Sequence, residues 1–342
     1  MKRFTVMIGV LAMTLTFFAA TCVHGTMYPH PEVETKFTVN EEGTLENNAD
    51  RVWKTIEGEV LRSDMECGAL RYFVYLPENY DSNKEYPILV YLHGGSIGYH
   101  RGAKITPWSK DLKSYSEQIA KGIEDCIILA PQAPGTSVSG EDVPNSYWSG
   151  LSAKEILGGG TINKSESSPY LRATQKLMSD FLEKGILYKG STYKVDASRV
   201  YLAGHSQGAV GSFMMLKDCP DVFAAAIIGA GIGDPDSVDL WKDTKVRIYH
   251  GKHDNMVDYE ACEIMAQALK DYPNAEIFPL EYADHDIKPY MYTEENFSWM
   301  AEQDRDAIGN TRIIVLIVLA VMVVIAVIIL SVFIRKRKVL KK

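Results

Sequence analysis

Apolar runs of strand length alternate with amphipathic helical stretches through most of this chain. Residues 87–92 and 126–130 are almost continuously apolar, which is typical of strands buried on both faces of a parallel sheet. Residues 112–123 and 171–187 carry apolar side chains at helical spacing. Because strands that alternate with helices bury both faces of a sheet under helices, the sequence predicts an α/β fold with a doubly wound, mostly parallel sheet.

The same alternation continues along the chain to about residue 300. The other predicted strands are 55–62, 70–76, 200–203, 224–229, 246–249 and 276–282, and the other predicted helices are 207–216 and 257–269. We assign residues 52–304 to one domain, since a chain of 342 residues accommodates a single large α/β unit together with targeting segments.

A hydrophobic segment after two basic residues begins the chain. Lys2 and Arg3 precede an apolar stretch over residues 4–20, which small and polar residues follow. This pattern predicts a signal peptide over residues 1–25. An uncleaved membrane anchor is the alternative, because the apolar stretch is long.

A second apolar segment lies near the other end. Residues 313–334 contain Ser331 as their only polar member and are long enough to cross about 30 Å of hydrocarbon. We predict a transmembrane helix here, the alternative being a buried core helix. The basic tail of residues 335–342 predicts a cytoplasmic end, so the domain would be extracellular on a single-pass cell-membrane protein.

Two stretches lack a regular pattern. Residues 26–51 are polar and poorly periodic, and we predict a polar N-terminal spacer there. Residues 132–169 are rich in Gly, Ser, Pro and Asn and contain the pair Tyr147-Trp148. Structureless segments this long inside a compact domain are usually functional lids or disordered, and the aromatic pair favours a lid-like insertion with Trp148 as a substrate-binding residue.

Charge and cysteine content narrow the classes of partner. The formal net charge is −8, and the basic residues do not cluster within the domain, so the sequence indicates no nucleic-acid partner. An extracytoplasmic site permits disulfides, yet the spacing of the cysteines after the signal suits buried thiols equally well. Those cysteines are Cys67, Cys126, Cys219 and Cys262.

The segment Gly204-His205-Ser206-Gln207-Gly208 lies where a predicted strand meets a predicted helix. Gly-x-Ser-x-Gly is by itself a weak signal. In this context, a sharp turn would hold Ser206 in a strained conformation with its hydroxyl exposed, and the flanking glycines would let the strand and the helix approach. We therefore predict Ser206 as a nucleophile; the alternative is a serine that caps an ordinary strand-to-helix turn.

A serine nucleophile needs a base and a group that orients the base. Asp254 and His285 each follow a predicted parallel strand, and the loops at that edge of a sheet are where functional groups converge. Their order along the chain, acid and then histidine, matches this requirement. Asp258 is an alternative acid, although its place at the start of a predicted helix is typical of a capping residue.

Two histidines near the predicted acid raise the question of a metal site. His250 and His253 lie close to Asp254 in sequence and could suggest a cluster of metal ligands. No further ligand occurs at a suitable spacing, so we predict no metal.

A tetrahedral intermediate also needs hydrogen-bond donors for its oxyanion. The turn His93-Gly94-Gly95-Ser96 follows a predicted strand, and its glycines would let backbone N–H groups approach a substrate. We predict an oxyanion hole made by Gly95, Ser96 and Gln207, with His93 orienting the loop; a plain glycine turn is the alternative. His205, next to the nucleophile, is predicted to be a substrate-binding residue.

Four segments carry a resemblance to a known family. They are Arg71-Tyr-Phe-Val-Tyr-Leu-Pro, Tyr86-Pro-Ile-Leu-Val-Tyr-Leu-His-Gly-Gly, Val195-Asp-Ala-Ser-Arg-Val-Tyr-Leu-Ala-Gly-His-Ser-Gln-Gly, and His250-Gly with Asp254. From about residue 70 to 299 the chain resembles the α/β-hydrolase superfamily, and it is most similar to the secreted esterases of the polyhydroxybutyrate-depolymerase and feruloyl-esterase-like group. In that group the residues that match Ser206, Asp254 and His285 are nucleophile, acid and base.

The resemblance implies a serine hydrolase that cleaves carboxylic esters through an acyl-enzyme, and the two apolar segments add the expectation that it is extracytoplasmic and membrane-anchored. It implies no cofactor, and its substrate would be a small-molecule or polymer-linked ester. A serine peptidase of the prolyl-oligopeptidase type shares the fold and the order of the triad. A non-catalytic surface binding protein on a hydrolase scaffold is the third hypothesis.

Overall fold

The computed structural model describes the central part of the chain. The described residues are 33–46, 52–65, 68–98, 106–135, 137–138, 141–142, 148–149, 166–307 and 322. The predicted signal peptide and basic tail lie outside them, as does the predicted transmembrane helix of residues 313–334 except for Met322. Within the described residues, no helix has the length and apolar character that a bilayer crossing requires.

The strands follow the predicted order, with additions at the beginning and in the middle. They are β1 (Thr35–Glu46), β2 (Val52–Arg62), β3 (Leu70–Leu76), β4 (Glu85–Leu92), β5 (Ile127–Gln132), β6 (Ser137–Val138), β7 (Glu141–Asp142), β8 (Ile186–Tyr188), β9 (Ser191–His205), β10 (Ala225–Gly229), β11 (Lys245–Gly251) and β12 (Ala275–Leu280). The sequence did not predict β1, β6, β7, β8 or the first half of β9.

Ten of these strands form one sheet, in the order β1-β2-β3-β5-β4-β9-β10-β11-β12 with β8 paired to β9. From β5 to β12 in this order, neighbouring strands are parallel. β1 pairs antiparallel with β2, β2 with β3, and β3 with β5, which makes the whole sheet mixed. The predicted parallel arrangement is therefore confirmed for the central and C-terminal strands, whose carboxyl ends share one edge.

Helices cover both faces of the sheet. They are α1 (Lys113–Gly122), α2 (Pro169–Lys184), α3 (Gln207–Asp218), α4 (Glu260–Leu269), α5 (Lys288–Met291) and α6 (Glu294–Ala301), with a π-helix at Trp108–Leu112 and 3₁₀ helices at Gly95–Ile97 and Pro235–Leu240. Buried side chains of α2, α3 and α4 pack with Val90 and Leu92 of β4 on one face, whereas those of α1, α5 and α6 pack with Leu89 and Tyr91 on the other. The doubly wound prediction is thus confirmed.

The segment predicted to be a polar spacer contains a strand. β1 pairs with β2 from Thr35 opposite Arg62 to Glu46 opposite Val52, so the prediction of a spacer over residues 26–51 is wrong for residues 35–46. Most side chains of β1 are partly or fully exposed, so its sequence lacks a clear apolar alternation. Backbone hydrogen bonds to β2, which the pattern of side chains does not reveal, determine its conformation.

Only short parts of the predicted lid-like insertion over residues 132–169 are described. β6 and β7 pair antiparallel as a short hairpin. Ser149 forms a β-bridge with Ser167, just before α2 begins. The remaining residues of the insertion lie outside the described part of the chain, and the lid stays a prediction.

Three of the cysteines are free and buried. Cys126, Cys219 and Cys262 form no disulfide, which confirms the alternative of buried thiols for these positions; Cys67 lies outside the described residues. Burial raises the pKa of each thiol, that of Cys262 to about 11. Since the thiolate is the reactive form of cysteine, these side chains are inert packing groups at neutral pH.

Candidate active site

Ser206 occupies a tight turn between β9 and α3. Its backbone has φ 58° and ψ −120°, a left-handed conformation that is unfavourable for a residue with a Cβ atom. Its N–H donates to the carbonyl of Gly229 at 2.9 Å, which attaches the turn to the end of β10. The turn directs the serine out of the sheet at the edge where the parallel strands end, as the sequence predicted.

The glycines on either side of the turn are required by close backbone approach. A Cβ atom on Gly204 would collide with the carbonyl of Gly208, and one on Gly208 would collide with the carbonyl of Leu92. In both cases the obstacle is main chain, which cannot rotate away as a side chain can. The spacing of glycine, serine and glycine in the sequence therefore reflects the crossing of β9, α3 and the end of β4.

The structure brings Ser206, His285 and Asp254 together. His285 Nε2 lies 2.9 Å from Ser206 Oγ. Its other ring nitrogen, Nδ1, lies 2.8 Å from Oδ2 and 3.0 Å from Oδ1 of Asp254. The aspartate side chain is completely buried, whereas about a fifth of the histidine side chain is exposed. A carboxylate, an imidazole and a hydroxyl are thus linked in the order that nucleophilic activation requires.

The carboxylate of Asp254 is held in its ionised form. Burial by itself would raise its pKa, but hydrogen bonds from His250, from His285 and from the backbone N–H groups of Val257 and Met256 outweigh burial and hold the pKa well below its usual range. The group therefore carries a negative charge at neutral pH, within hydrogen-bond distance of His285 Nδ1.

The alternative acid, Asp258, has a different role. Its Oδ1 accepts a hydrogen bond from the N–H of Glu260 at 3.0 Å, at the first residue of α4. The residue is exposed. This is the geometry of a residue that satisfies an unpaired donor at a helix start, as its position in the sequence suggested.

The turn predicted to form an oxyanion hole lies against the nucleophile. A Cβ atom on Gly94 would be 3.6 Å from the Cβ of Ser206. Gly95 and Ser96 begin a 3₁₀ helix directly after it, and Gln207 is the first residue of α3. The structure thus places all three predicted residues next to Ser206 in the chain or at the adjoining turn, and their role as an oxyanion hole stays a prediction.

The side chain of His93 holds this turn in place through two hydrogen bonds to backbone groups. Its Nε2 accepts from the N–H of Ala133 at 3.1 Å, so the proton is on Nδ1, which donates to the carbonyl of Gly94 at 2.8 Å. Burial lowers the pKa of His93 to about 4, and the ring is neutral at physiological pH. These contacts are those of a residue that orients the loop, the role that the sequence suggested.

Trp148 does not line an open pocket. Its side chain is fully buried, its indole N–H donates to the carbonyl of His93 at 2.9 Å, and its ring packs closely on Gly211 of α3. The prediction that Trp148 is a substrate-binding residue is therefore wrong. The aromatic character that suggested a substrate wall instead serves packing behind the predicted oxyanion turn.

His205 is likewise not positioned as a substrate contact. It is 6% exposed, and its Nε2 lies 2.7 Å from the main-chain carbonyl oxygen of His285. Its place next to Ser206 suggested an accessible side chain, but side chains alternate along a strand, and this one turns towards the loop that carries the histidine.

His250 contacts the acid, a role that the sequence did not predict. The sequence suggested metal binding as its only individual role, yet its Nε2 lies 3.3 Å from Oδ2 of Asp254 and 3.0 Å from the carbonyl of Val257. Its position at the end of β11, four residues before the acid, was the available signal. Among the described residues, no three His, Cys, Asp or Glu side chains converge on a position for a metal ion.

Comparison with protein families identifies the relationship. The model of the Esterase family, described as "Putative esterase", matches residues 68–278, a span that contains Ser206 and Asp254 and more than half of the chain. The chain belongs to the Esterase family. The resemblance to α/β-hydrolase esterases that the sequence motifs indicated is thereby confirmed. His285 lies beyond the matched span.

Two individual proteins match this chain at low sequence identity and over only part of their length. Acetylxylan esterase A of Emericella nidulans is 26% identical over 182 residues, which are 51% of this chain and 48% of that enzyme. Dipeptidyl-peptidase 5 of Aspergillus oryzae is 29% identical over 93 residues, which are 26% of this chain and 12% of that enzyme. The match therefore spans about half the length of the first relative and a small part of the second.

A solved structure shares the fold. The crystal structure of a thermostable esterase superposes with a TM-score of 0.51 at 21% sequence identity, over 77% of this chain and 63% of that chain. At this level of identity the similarity concerns the fold, which agrees with the mixed sheet and its two layers of helices.

Proposed function

We propose that this chain is a carboxylic-ester hydrolase that forms an acyl-enzyme on Ser206. The observation that carries the proposal is the unbroken series of hydrogen bonds from Asp254 through His285 to Ser206. Membership in the Esterase family supports ester hydrolysis as the reaction.

The proposed reaction follows from the protonation states that this geometry favours. Asp254 stays ionised and accepts a hydrogen bond from His285 Nδ1–H, which leaves Nε2 unprotonated and able to take the proton of Ser206 Oγ as that oxygen attacks the acyl carbon. The imidazolium then donates that proton to the departing alcohol. Water repeats the sequence on the acyl-enzyme and releases the acid, with Asp254 stabilising the charged ring in both steps.

We propose that the negative charge on the carbonyl oxygen is stabilised by backbone N–H groups. The candidates are the N–H of Gln207 and an N–H of the turn at Gly95 and Ser96, which lies beside the nucleophile. Fixed donors of this kind need no reorganisation during the reaction and are commonly the largest source of transition-state stabilisation.

Two assays test this proposal: a panel of ester substrates and a serine-reactive fluorophosphonate probe. We expect the purified full-length chain to hydrolyse p-nitrophenyl esters and acetylated polysaccharide, since the matched part of one relative belongs to an acetylxylan esterase. The probe should attach to the tryptic peptide of residues 200–217, and fragment masses should locate it on Ser206 rather than Ser212.

Each other hypothesis predicts a different result in the same assay. Cleavage of aminoacyl p-nitroanilides without cleavage of esters would favour a serine peptidase. The short match to dipeptidyl-peptidase 5 is the reason to include this class in the assay. Absence of both labelling and turnover would favour a non-catalytic binding protein on this scaffold.

We further propose that residues 313–334 anchor the domain to the cell membrane, with the domain outside and residues 335–342 in the cytoplasm. The uninterrupted apolar run and the basic tail support this arrangement. Protease added to intact cells should degrade the domain and spare an epitope placed on the tail, whereas permeabilised cells should lose both. A domain protected in intact cells would contradict the orientation.

A further inference from the structure

His205 connects the nucleophile to the histidine loop, yet the proposed reaction makes no use of it. It immediately precedes Ser206 at the end of β9, and its Nε2 lies 2.7 Å from the main-chain carbonyl oxygen of His285. The two rings are 5.0 Å apart between centroids, and the His205 residue is 6% exposed. A buried imidazole thus touches the backbone of the residue whose ring contacts Ser206.

The chemistry of the contact determines which nitrogen of His205 carries the proton. A carbonyl oxygen can only accept, so Nε2 must be the protonated nitrogen and Nδ1 the unprotonated one. Burial is the main cause that lowers the pKa of His205 to about 4; the nearby His285 and Lys288 lower it further, while the hydrogen bond to His285 and the charge of Asp286 oppose them. The ring is therefore a neutral Nε2–H donor at physiological pH.

The contact restrains the loop that carries His285, whose other backbone hydrogen bonds lead to different segments. The carbonyl of Ala283 accepts from the N–H of His253, which attaches the loop to the segment that carries Asp254. The carbonyl of His285 accepts from the N–H of Ile287 within the same loop. The bond from His205 is different in kind, because it joins the loop to the strand that ends in Ser206.

We propose that His205 is a positioning residue: through Nε2–H it holds the main chain of His285 so that the His285 ring stays within hydrogen-bond distance of Ser206. This inference rests on the proposed function. Because proton transfer requires that distance, and displacement of reacting groups by about 1 Å can lower a rate by about 100-fold, the expected effect is on turnover and not on substrate affinity.

Three substitutions separate the hydrogen bond from packing. The amide nitrogen of a glutamine is as many bonds from Cα as the imidazole Nε2, whereas that of an asparagine corresponds to Nδ1 and stops short of the His285 carbonyl. We expect His205→Phe and His205→Asn to lower kcat about 10- to 100-fold with KM unchanged. We expect His205→Gln, which can still donate to the His285 carbonyl, to keep kcat within a few fold of the parent value.

The comparison of His205→Gln with His205→Asn distinguishes a positioning role from a role in packing alone. If glutamine and asparagine give the same kcat at matched thermal midpoints, or if His205→Phe keeps the parent kcat, the positioning role is refuted. A parent chain that neither binds the fluorophosphonate probe nor hydrolyses esters would instead refute the proposed function, whatever the variants do.

A spectroscopic measurement tests the hydrogen bond from His205 to the His285 carbonyl independently of enzyme activity. In ¹⁵N-histidine NMR of the full-length chain, His205→Gln should remove the signals of one neutral ring protonated at Nε2, and that ring should remain neutral down to about pH 4. A ring protonated at Nδ1 in the parent chain would overturn the assignment, because such a ring cannot donate to the His285 carbonyl.

Discussion

Ser206→Ala is expected to lower kcat for ester hydrolysis by about 10⁶-fold, because removal of the nucleophile from a triad costs about as much as removal of the whole triad. The substitution takes away the oxygen that lies 2.9 Å from His285 Nε2 and leaves the Cβ atom in place. Initial rates with p-nitrophenyl acetate, compared with the uncatalysed reaction, measure the effect. A variant that retains a tenth of the parent activity would show that the chemistry occurs elsewhere.

Ser206→Gly provides the matched control for stability. It should be as inactive as Ser206→Ala, but it removes the Cβ atom from a backbone at φ 58° and ψ −120°. Such conformations cost about 1–3 kcal/mol for residues other than glycine, against roughly 0.5–1 kcal/mol for the greater freedom of glycine in the unfolded chain. We therefore expect Ser206→Gly to melt a few degrees above Ser206→Ala. A lower midpoint for the glycine variant would mean that the turn is not strained.

Asp254→Asn is expected to lower turnover by about 10³- to 10⁴-fold while leaving the fold intact. Oδ1 accepts the backbone N–H groups of Met256 and Val257, and an asparagine oxygen can keep those bonds. The amide nitrogen would then replace Oδ2 and donate to His285 Nδ1, which forces the ring proton onto Nε2. A ring with that proton cannot accept the proton of Ser206, so kcat should fall while circular dichroism stays unchanged.

Asp258→Asn is the control for this experiment, because it changes the other aspartate of the same loop. It should cost at most about 1 kcal/mol of stability at the start of α4, with little change in kcat. The two variants should be compared at temperatures well below both thermal midpoints, so that unfolding is not mistaken for lost chemistry. An inactive Asp258→Asn beside an active Asp254→Asn would exclude Asp254 as the acid.

Much of the candidate site could be predicted because each of its residues lies at the end of a recognisable strand. Ser206 follows β9, Asp254 follows β11 and His285 follows β12, and the carboxyl ends of parallel strands meet at one edge. Alternation of buried strands and amphipathic helices was enough to place them on that edge. The same reasoning correctly favoured Asp254 over Asp258 as the residue close to the histidine.

Other features depended on contacts between distant parts of the chain. The partly exposed side chains of β1 carry no clear period, so only pairing with β2 reveals the strand. Trp148 lies in an irregular stretch, where its ring packs on Gly211 and its N–H finds the carbonyl of His93. Neither contact leaves a signal in the residues that surround Trp148 in sequence.

The sequence by itself determined the class of fold, the strained turn of the nucleophile and the order of acid and base, because these depend on local periodicity and on glycine spacing. Only the tertiary structure decided which way His205 and Trp148 point and that His250 contacts Asp254. The physical reason is that a buried polar side chain must find a hydrogen-bond partner, and that partner comes from whichever distant segment the folded chain brings within about 3 Å.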